Sequence, residues 1–506
     1  MPSHVLLGPL LSIENEDLYS FCVLTEKSVT RVQINCHGKS FSMACISETV
    51  TGKFWKVVVP VLDLGRGHSV NYTVVADDHV MSDKNGRASW AFYVPNDEAP
   101  LICYTSCNGF SSAQLMKDSK DPYALWREMN QLHVHSPYAL MIMGGDQLYA
   151  DSIWSDIKTL KCLIEKTEHE LIAFVPDGAL EKEIELFYEQ LYLKRWNERE
   201  TALALASIPQ IMMWDDHDIF DGWGSYPKEL NECALYQTIF HYARKYFDLF
   251  QLRKRNGMLS QQGRHHAYYL HFANYTILAM DHRSERTIQQ VMGKDQWADC
   301  LTWMKEVELR KNLLVMSGVP VVYRDFSFVE KTVEATSKVE EVTDDLKDHW
   351  RAKEHLGERL KFINMLLSEL RMRQKRYSST LTEKNDWHVN SSARTVIMSG
   401  DVHIGALGVI MDRRISPEIK VYQVISSAIV HPPPTAVQWA GIRIATNDRN
   451  EFLSEDKKVE TAMITPVGSN TYIRARNYAT LQEGNDGKLW VNWINESEDK
   501  AAYPFE

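Results

Sequence analysis

The chain has 506 residues, 44% hydrophobic and 24% charged, the balance of an ordinary soluble globular protein with room for several domain-sized units. A net charge of −11 argues against non-specific nucleic-acid binding and against a polybasic membrane anchor. If the ligand is an anion, something local must reverse that field, and bound cations would do so.

Eight cysteines are scattered without a CxxC pair, so zinc-ribbon readings fail and reduced thiols are expected. The N-terminus lacks a basic stretch followed by a long apolar run, and no segment approaches the length of a transmembrane helix. A cytoplasmic protein is expected.

Residues 1–97 alternate short apolar and polar runs, such as Val29–Cys36, Trp55–Pro60, Val70–Val75 and Ser89–Val94. Turn residues separate them, which predicts a small N-terminal β-sandwich carrying no clustered chemistry. Pro95-Asn-Asp-Glu-Ala-Pro100 reads as a linker into a second domain over 98–506.

In that domain short β-type runs alternate with helical ones, the pattern of an α/β fold. Leu101–Ser106 leads into Cys107-Asn-Gly109, and a helix is expected over Asp121–Leu132. Tyr138–Met143 stops at Gly144-Gly-Asp-Gln-Leu-Tyr149, and a long helical region runs to Trp196. Ile208–Trp214 ends in Asp215-Asp-His-Asp218, and Tyr226–Leu252 is amphipathic. A hairpin over Ala267–Met280 ends in Asp281-His-Arg283, and Asn312–Ser317 ends in Gly318. Residues 324–394 read as a charged insertion with a helix at Leu356–Met372. Arg394–Ser399 then ends in Gly400-Asp-Val-His403, and the tail closes on a β-hairpin around Glu483–Gly487.

Each chemical cluster therefore follows a strand. In an open α/β sheet, ligand groups gather outside the carboxyl ends of the strands. One aspartate there is usually a helix cap. Five such ends supplying Cys, Asp, Tyr, His and Arg are hard to explain by capping, and the carboxylates, phenol, imidazole and thiol among them match the donors of a two-metal site.

The series Gly145-Asp-Gln-Leu-Tyr149, Trp214-Asp-Asp-His-Asp218, Asp281-His-Arg283 and Ser399-Gly-Asp-Val-His403 resembles the PhoD-like branch of the calcineurin-like metallophosphoesterases. Its Gly-Asp-x-x-Tyr element is also similar to purple acid phosphatases. The resemblance covers about residues 98–440 and implies a four-layer α/β/β/α sandwich with a dinuclear site. It implies that Asp146 bridges the metals and that Cys107, Tyr149 and His403 complete an Fe(III) site. Asp216, Asp281 and Asp401 would hold the second cation, Ca(II) in the family pattern, with Zn, Mn and Mg also open. His217 would lie beside the leaving group, and Asp215 would be a ligand or support one.

The implied activity is hydrolysis of phosphate mono- or diesters by a metal-bound hydroxide, as in alkaline phosphatase D-like enzymes. Arg283 would neutralise a phosphoryl oxygen or, equally, form a salt bridge that orients Asp281 or Asp216. A non-catalytic phospho-ligand-binding or scaffold protein that kept the fold is the alternative. Asp151 reads as a helix cap, Cys103 as core, His265-His266 as a solvated pair, and His431 as part of a rigid loop at the rim. Asn108 serves a turn or donates to phosphate. The segment Asp344–Trp350 is an exposed helix start or a lid contact.

Overall fold

Period-two alternation along the strands places one set of side chains between two large sheets and the other under helices. In β14 (Tyr275–Ala279) and β15 (Asn312–Ser317), Ile277, Ala279, Leu314 and Met316 join the core between the sheets. Their neighbours Leu278, Leu313 and Val315 pack instead with Trp297, Cys300 and Trp303 of the helix Lys294–Glu306 and with Phe362, Leu366 and Leu370 of the helix Leu356–Leu381. These observations come from a computed structural model that describes residues 4–96, 99–253, 255–324, 349–381, 393–414, 416–497 and 500–506.

The first sheet has ten strands in the order β24-β23-β22-β10-β11-β12-β1-β2-β6-β5. At its centre lie β10 (Ile102–Thr105), β11 (Leu140–Gly144) and β12 (Gln210–Met213), mutually parallel. The hairpin of β22 (Asn477–Glu483) and β23 (Leu489–Asn495) extends one side, with β24 (Ala501–Phe505) outside it. The second sheet holds β14, β15, β16 (Arg394–Ser399) and β18 (Ile419–Ser426) in parallel. Antiparallel β13 (Tyr268–Phe272) and β17 (Gly405–Asp412) flank that parallel set. Helices Gly178–Trp196 and Arg199–Ser207 cover the outer face of the first sheet. The result is the expected four-layer α/β/β/α sandwich.

The N-terminal sandwich is present, and one of its two sheets is shared. Strands β1 (Leu7–Asn15), β2 (Leu18–Glu26), β5 (Ala44–Glu48) and β6 (Gly52–Pro60) continue the ten-stranded sheet, because β1 pairs in parallel with β12 at Ser12 and Gln210. The other sheet contains β3 (Val32–Cys36), β7 (His68–Ala76) and β9 (Trp90–Val94), and Phe21 meets Tyr72 and Phe92 edge-on across the gap. Hydrogen bonding of the backbone thus crosses the boundary expected near residue 97.

Buried polar side chains lock this seam. Glu14 accepts from Lys56 Nζ at 2.6 Å and from the Asn256 amide at 3.1 Å. Glu189 accepts from the hydroxyls of Thr49 and Thr51 at 2.5 Å each and of Tyr246 at 3.2 Å. The expected helix over Asp121–Leu132 runs Ala124–His135, and the amphipathic stretch is the helix Ala234–Tyr246, which widens into a π-turn at Phe247–Leu252. About half of the insertion, residues 325–348 and 382–392, lies outside the described residues.

Candidate metal centre

The parallel strands of both sheets end on one edge, and the loops that follow carry the chemistry. Cys107, Asp146, Asp401 and His403 all have positive φ, at 52°, 54°, 69° and 53°. A left-handed backbone costs a non-glycine residue roughly 1–2 kcal/mol, so strain gathered on neighbouring loops marks a site held in place by its surroundings. Two glycines make room. Gly145 has φ 106°, and a Cβ there would come within 2.9 Å of Asp215 Cβ. A Cβ on Gly318 would lie 2.4 Å from Asp215 Oδ2.

Asp146, Asp215 and Asp401 present carboxylate oxygens within 4.8 Å of one another, and Asp216, His217 and Asp221 form a second group of the same compactness. Cys107 Sγ lies 3.4 Å from Asp146 Oδ2. The Tyr149 hydroxyl is 3.2 Å from His403 Nε2, and its ring stacks on His217 with centroids 4.2 Å apart. His431 stacks on His403 at 3.7 Å and on Tyr149 at 5.5 Å, so the expected rim loop places an imidazole inside the aromatic wall of the site.

Asp151 is corrected from a cap to a partner of His217. Both its oxygens lie 3.0 Å from His217 Nδ1, and one accepts the Asp221 amide at 2.8 Å. The spacing Asp146-x-x-Tyr149-x-Asp151 carried that signal, since it returns a third acceptor to the same loop. Asp218 was also missed as a brace. It accepts from the amides of Leu148 and Asp215 and from Gln251, tying two site loops together.

Of the two site residues expected from the loop after β14, Asp281 and Arg283, it is Arg283 that meets the acidic pair Asp215 and Asp216. Arg283 is fully buried, contacts Asp215 through Nε, reaches Asp216 at 3.3 Å and donates to the Trp223 carbonyl at 3.1 Å. Of the two readings open for it, the ion pair with Asp216 is the observed geometry. Asp281 lies outside both metal-type groups. Its carboxylate accepts from Trp214 Nε1 at 2.9 Å and from the amides of Arg283, Ser284 and His266 at 3.0, 3.0 and 2.7 Å, which leaves little lone-pair capacity for a cation. His265 and His266 are buried, not solvated. His265 pairs with Asp299 at 3.0 Å, and His266 bridges Asp248 and Asp281. Cys103 is core, as expected, and Asn108 is buried with Oδ1 accepting from Trp126 at 2.9 Å.

Electrostatics explain what this cluster requires. Burial, reinforced by Asp215, Asp216 and Asp218, pushes the Asp146 carboxyl well above its usual range. Burial together with Asp146 raises the Cys107 thiol, and burial together with Cys107 raises the Tyr149 phenol. Burial keeps His403 well below its usual value, hence a neutral imidazole. For His217 burial works against the charge, but Asp151 and Asp216 outweigh it and hold the pKa well above the usual range. Asp146 Oδ1 is buried and lacks a hydrogen-bond partner. An orphaned carboxylate oxygen beside a thiol, a phenol and a neutral imidazole is what cations would satisfy. The residues present therefore fit a metal centre.

Two face-to-face sheets with an acidic, metal-type cluster at their shared carboxyl edge define the metallophosphoesterase fold. Consistently, residues 101–346 match the family profile described as PhoD related phosphatase, which bears out the resemblance carried by the strand-end motifs. The solved structure of PhoD superposes with a TM-score of 0.58 at 11% identity, covering 99% of this chain and 89% of that one. Purple acid phosphatase PPD1 from yellow lupin seeds gives 0.50 at 10% identity, covering 98% and 74%. The uncharacterized protein YGR266W of Saccharomyces cerevisiae is 27% identical over 68% of this chain, and the match spans 59% of the yeast protein's length. The profile match is to a phosphatase family, and the two superpositions show the fold. Among the described residues no helix is long and apolar enough to cross a membrane.

Proposed function

We propose that the chain hydrolyses phosphate esters, as a phosphomonoesterase, a phosphodiesterase or both, at a dinuclear metal centre. The observation that carries this reading is Asp146, a buried carboxylate with one oxygen unpartnered, beside Cys107 and close to Asp215 and Asp401. In this reading Asp146 would be shared by the two cations, Cys107, Tyr149 and His403 would hold one, and Asp215, Asp216 and Asp401 would hold the other. Thiolate and phenolate donors suit Fe(III), and a carboxylate set suits Ca(II), Mn(II) or Mg(II). When bound, such cations would supply Lewis-acid polarisation of phosphoryl oxygens and a lowered pKa for water.

The chain's own residues do the rest. Asp151 anchors His217 through Nδ1, which leaves Nε2–H to protonate the departing ester oxygen. Arg283 positions Asp215 and Asp216 against their mutual repulsion. Asp281 braces this loop through Trp214 and His266 and is not assigned as a ligand. Eight free cysteines accord with a reducing, cytoplasmic setting.

The test is elemental analysis of protein purified without chelator, followed by parallel assays of aryl phosphate mono- and diesters. About two metals per chain, and hydrolysis lost on chelation and restored by metal, are expected. A chain that binds no metal and cleaves neither ester would overturn the proposal and leave the non-catalytic alternative.

A further inference from the structure

Ser427 lies at the end of β18 and is fully buried against the centre. Its Oγ is 3.0 Å from Cys107 Sγ and accepts the His403 backbone amide at 3.0 Å. Its own backbone is pinned on both sides. The amide donates to the Ile404 carbonyl at 3.2 Å, and its carbonyl accepts from Asn477 Nδ2 at 2.7 Å.

Counting protons decides which hydroxyl serves the sulfur. Ser106 Oγ is also near, at 3.5 Å, but its single proton goes to the Ser426 carbonyl at 2.9 Å. Ser427 Oγ takes the His403 N–H on a lone pair, so its O–H remains available. A thiolate at Cys107 accepts only, so the 3.0 Å contact is then a Ser427 O–H donation. We propose that Ser427 is a positioning residue that couples the sulfur donor to the imidazole-bearing loop. One hydroxyl donates to Cys107 Sγ while it holds the His403 amide, setting both the orientation of these side chains and the electron donation of the sulfur. The inference rests on the reading of Cys107 and His403 as ligands.

A hydrogen bond to a metal-bound sulfur lowers the energy of its lone pairs, and partners of this kind shift metal affinity by about 10–100-fold. The experiment uses full-length protein loaded with Co(II), read by absorption spectroscopy and metal titration. Wild type is expected to show a sulfur-to-cobalt charge-transfer band that Cys107→Ser abolishes. Ser427→Ala is expected to move that band to longer wavelength and to weaken Co(II) binding about 10–100-fold. Ser427→Gly, which also only removes atoms, is the second hydroxyl-free variant and is expected to do the same. Ser106→Ala is expected to leave the band in place. In metal-free protein, amide exchange at His403 is expected to be faster in Ser427→Ala. A band unmoved in both Ser427 variants overturns the proposal and leaves the metal reading standing. Equal shifts from Ser106→Ala and Ser427→Ala overturn it too, since the effect then lacks the predicted donor. Cobalt bound without any sulfur band in wild type overturns the ligand reading of Cys107 and the proposal with it.

Discussion

Glu189, at the seam of the N-terminal sandwich, and Asp146, at the carboxyl edge of the sheets, are both buried carboxylates, and the resemblance ends there. Glu189 accepts from Thr49, Thr51 and Tyr246, so its lone pairs are used. Asp146 sits on a left-handed backbone among Asp215, Asp216 and Asp218, with one oxygen unpartnered. A buried acid whose partners come from the chain holds the fold together. A buried acid left incomplete on a strained loop is kept for something that arrives from outside.

The largest effects break this contrast at the site. Asp146→Asn is expected to abolish metal-dependent hydrolysis and stoichiometric metal uptake. The same change is expected to stabilise the metal-free protein by roughly 1–3 kcal/mol, because the amide is neutral without the proton that the raised Asp146 pKa makes the buried carboxyl take up on folding. Elemental analysis and thermal melts with chelator check both, and a metal-free Asp146→Asn less stable than wild type contradicts the contrast. Next comes the proton donor. His217→Asn is expected to lower kcat by about 10²–10⁴-fold. Asp151→Asn should also move the alkaline limb of the pH–rate profile to lower pH. Asp151 helps hold the His217 pKa above its usual value, so without it Nε2 loses its proton earlier as pH rises.

At the seam the same logic predicts the opposite signs. Lys56→Met strands the buried Glu14 carboxylate and is expected to cost about 3–5 kcal/mol at neutral pH. Burial raises the Glu14 pKa, but Lys56 and Arg255 outweigh it and the net value is lowered. Its contribution is therefore present above the unfolded carboxylate pKa and disappears as pH falls through the lower folded value. Denaturant melts should show the wild-type advantage over Lys56→Met shrinking in acid. The smallest effect is Glu189→Gln, about 1–3 kcal/mol destabilising, since an amide NH₂ must face a donor. Paired with Asp146→Asn it gives one acid-to-amide change with two signs.

Much of the fold and of the site was legible in the chain. Apolar runs that stop abruptly at Gly-Asp, Asp-Asp-His-Asp or Gly-Asp-Val-His report strands, because a parallel strand buried on both faces must be continuously apolar and its polar residues collect at its end. The strand ends that carry Cys107, Asp146, Tyr149, Asp401 and His403 were therefore legible in the apolar runs, while the roles expected of these residues came from the family resemblance. What it did not reveal depends on pairings across long separations. Strand β1 reads as a separate N-terminal element until Ser12 is seen beside Gln210 in one sheet. Asp281 and Arg283 lie two positions apart in one loop, and only packing decides that the arginine faces the acidic cluster while the aspartate turns to Trp214 and His266. The same holds for Asp151 against His217 and for Ser427 against Cys107. Sequence periodicity determines which residues reach a strand end. Which of them face one another depends on the approach of chain segments tens to hundreds of residues apart, and only the tertiary structure decides it.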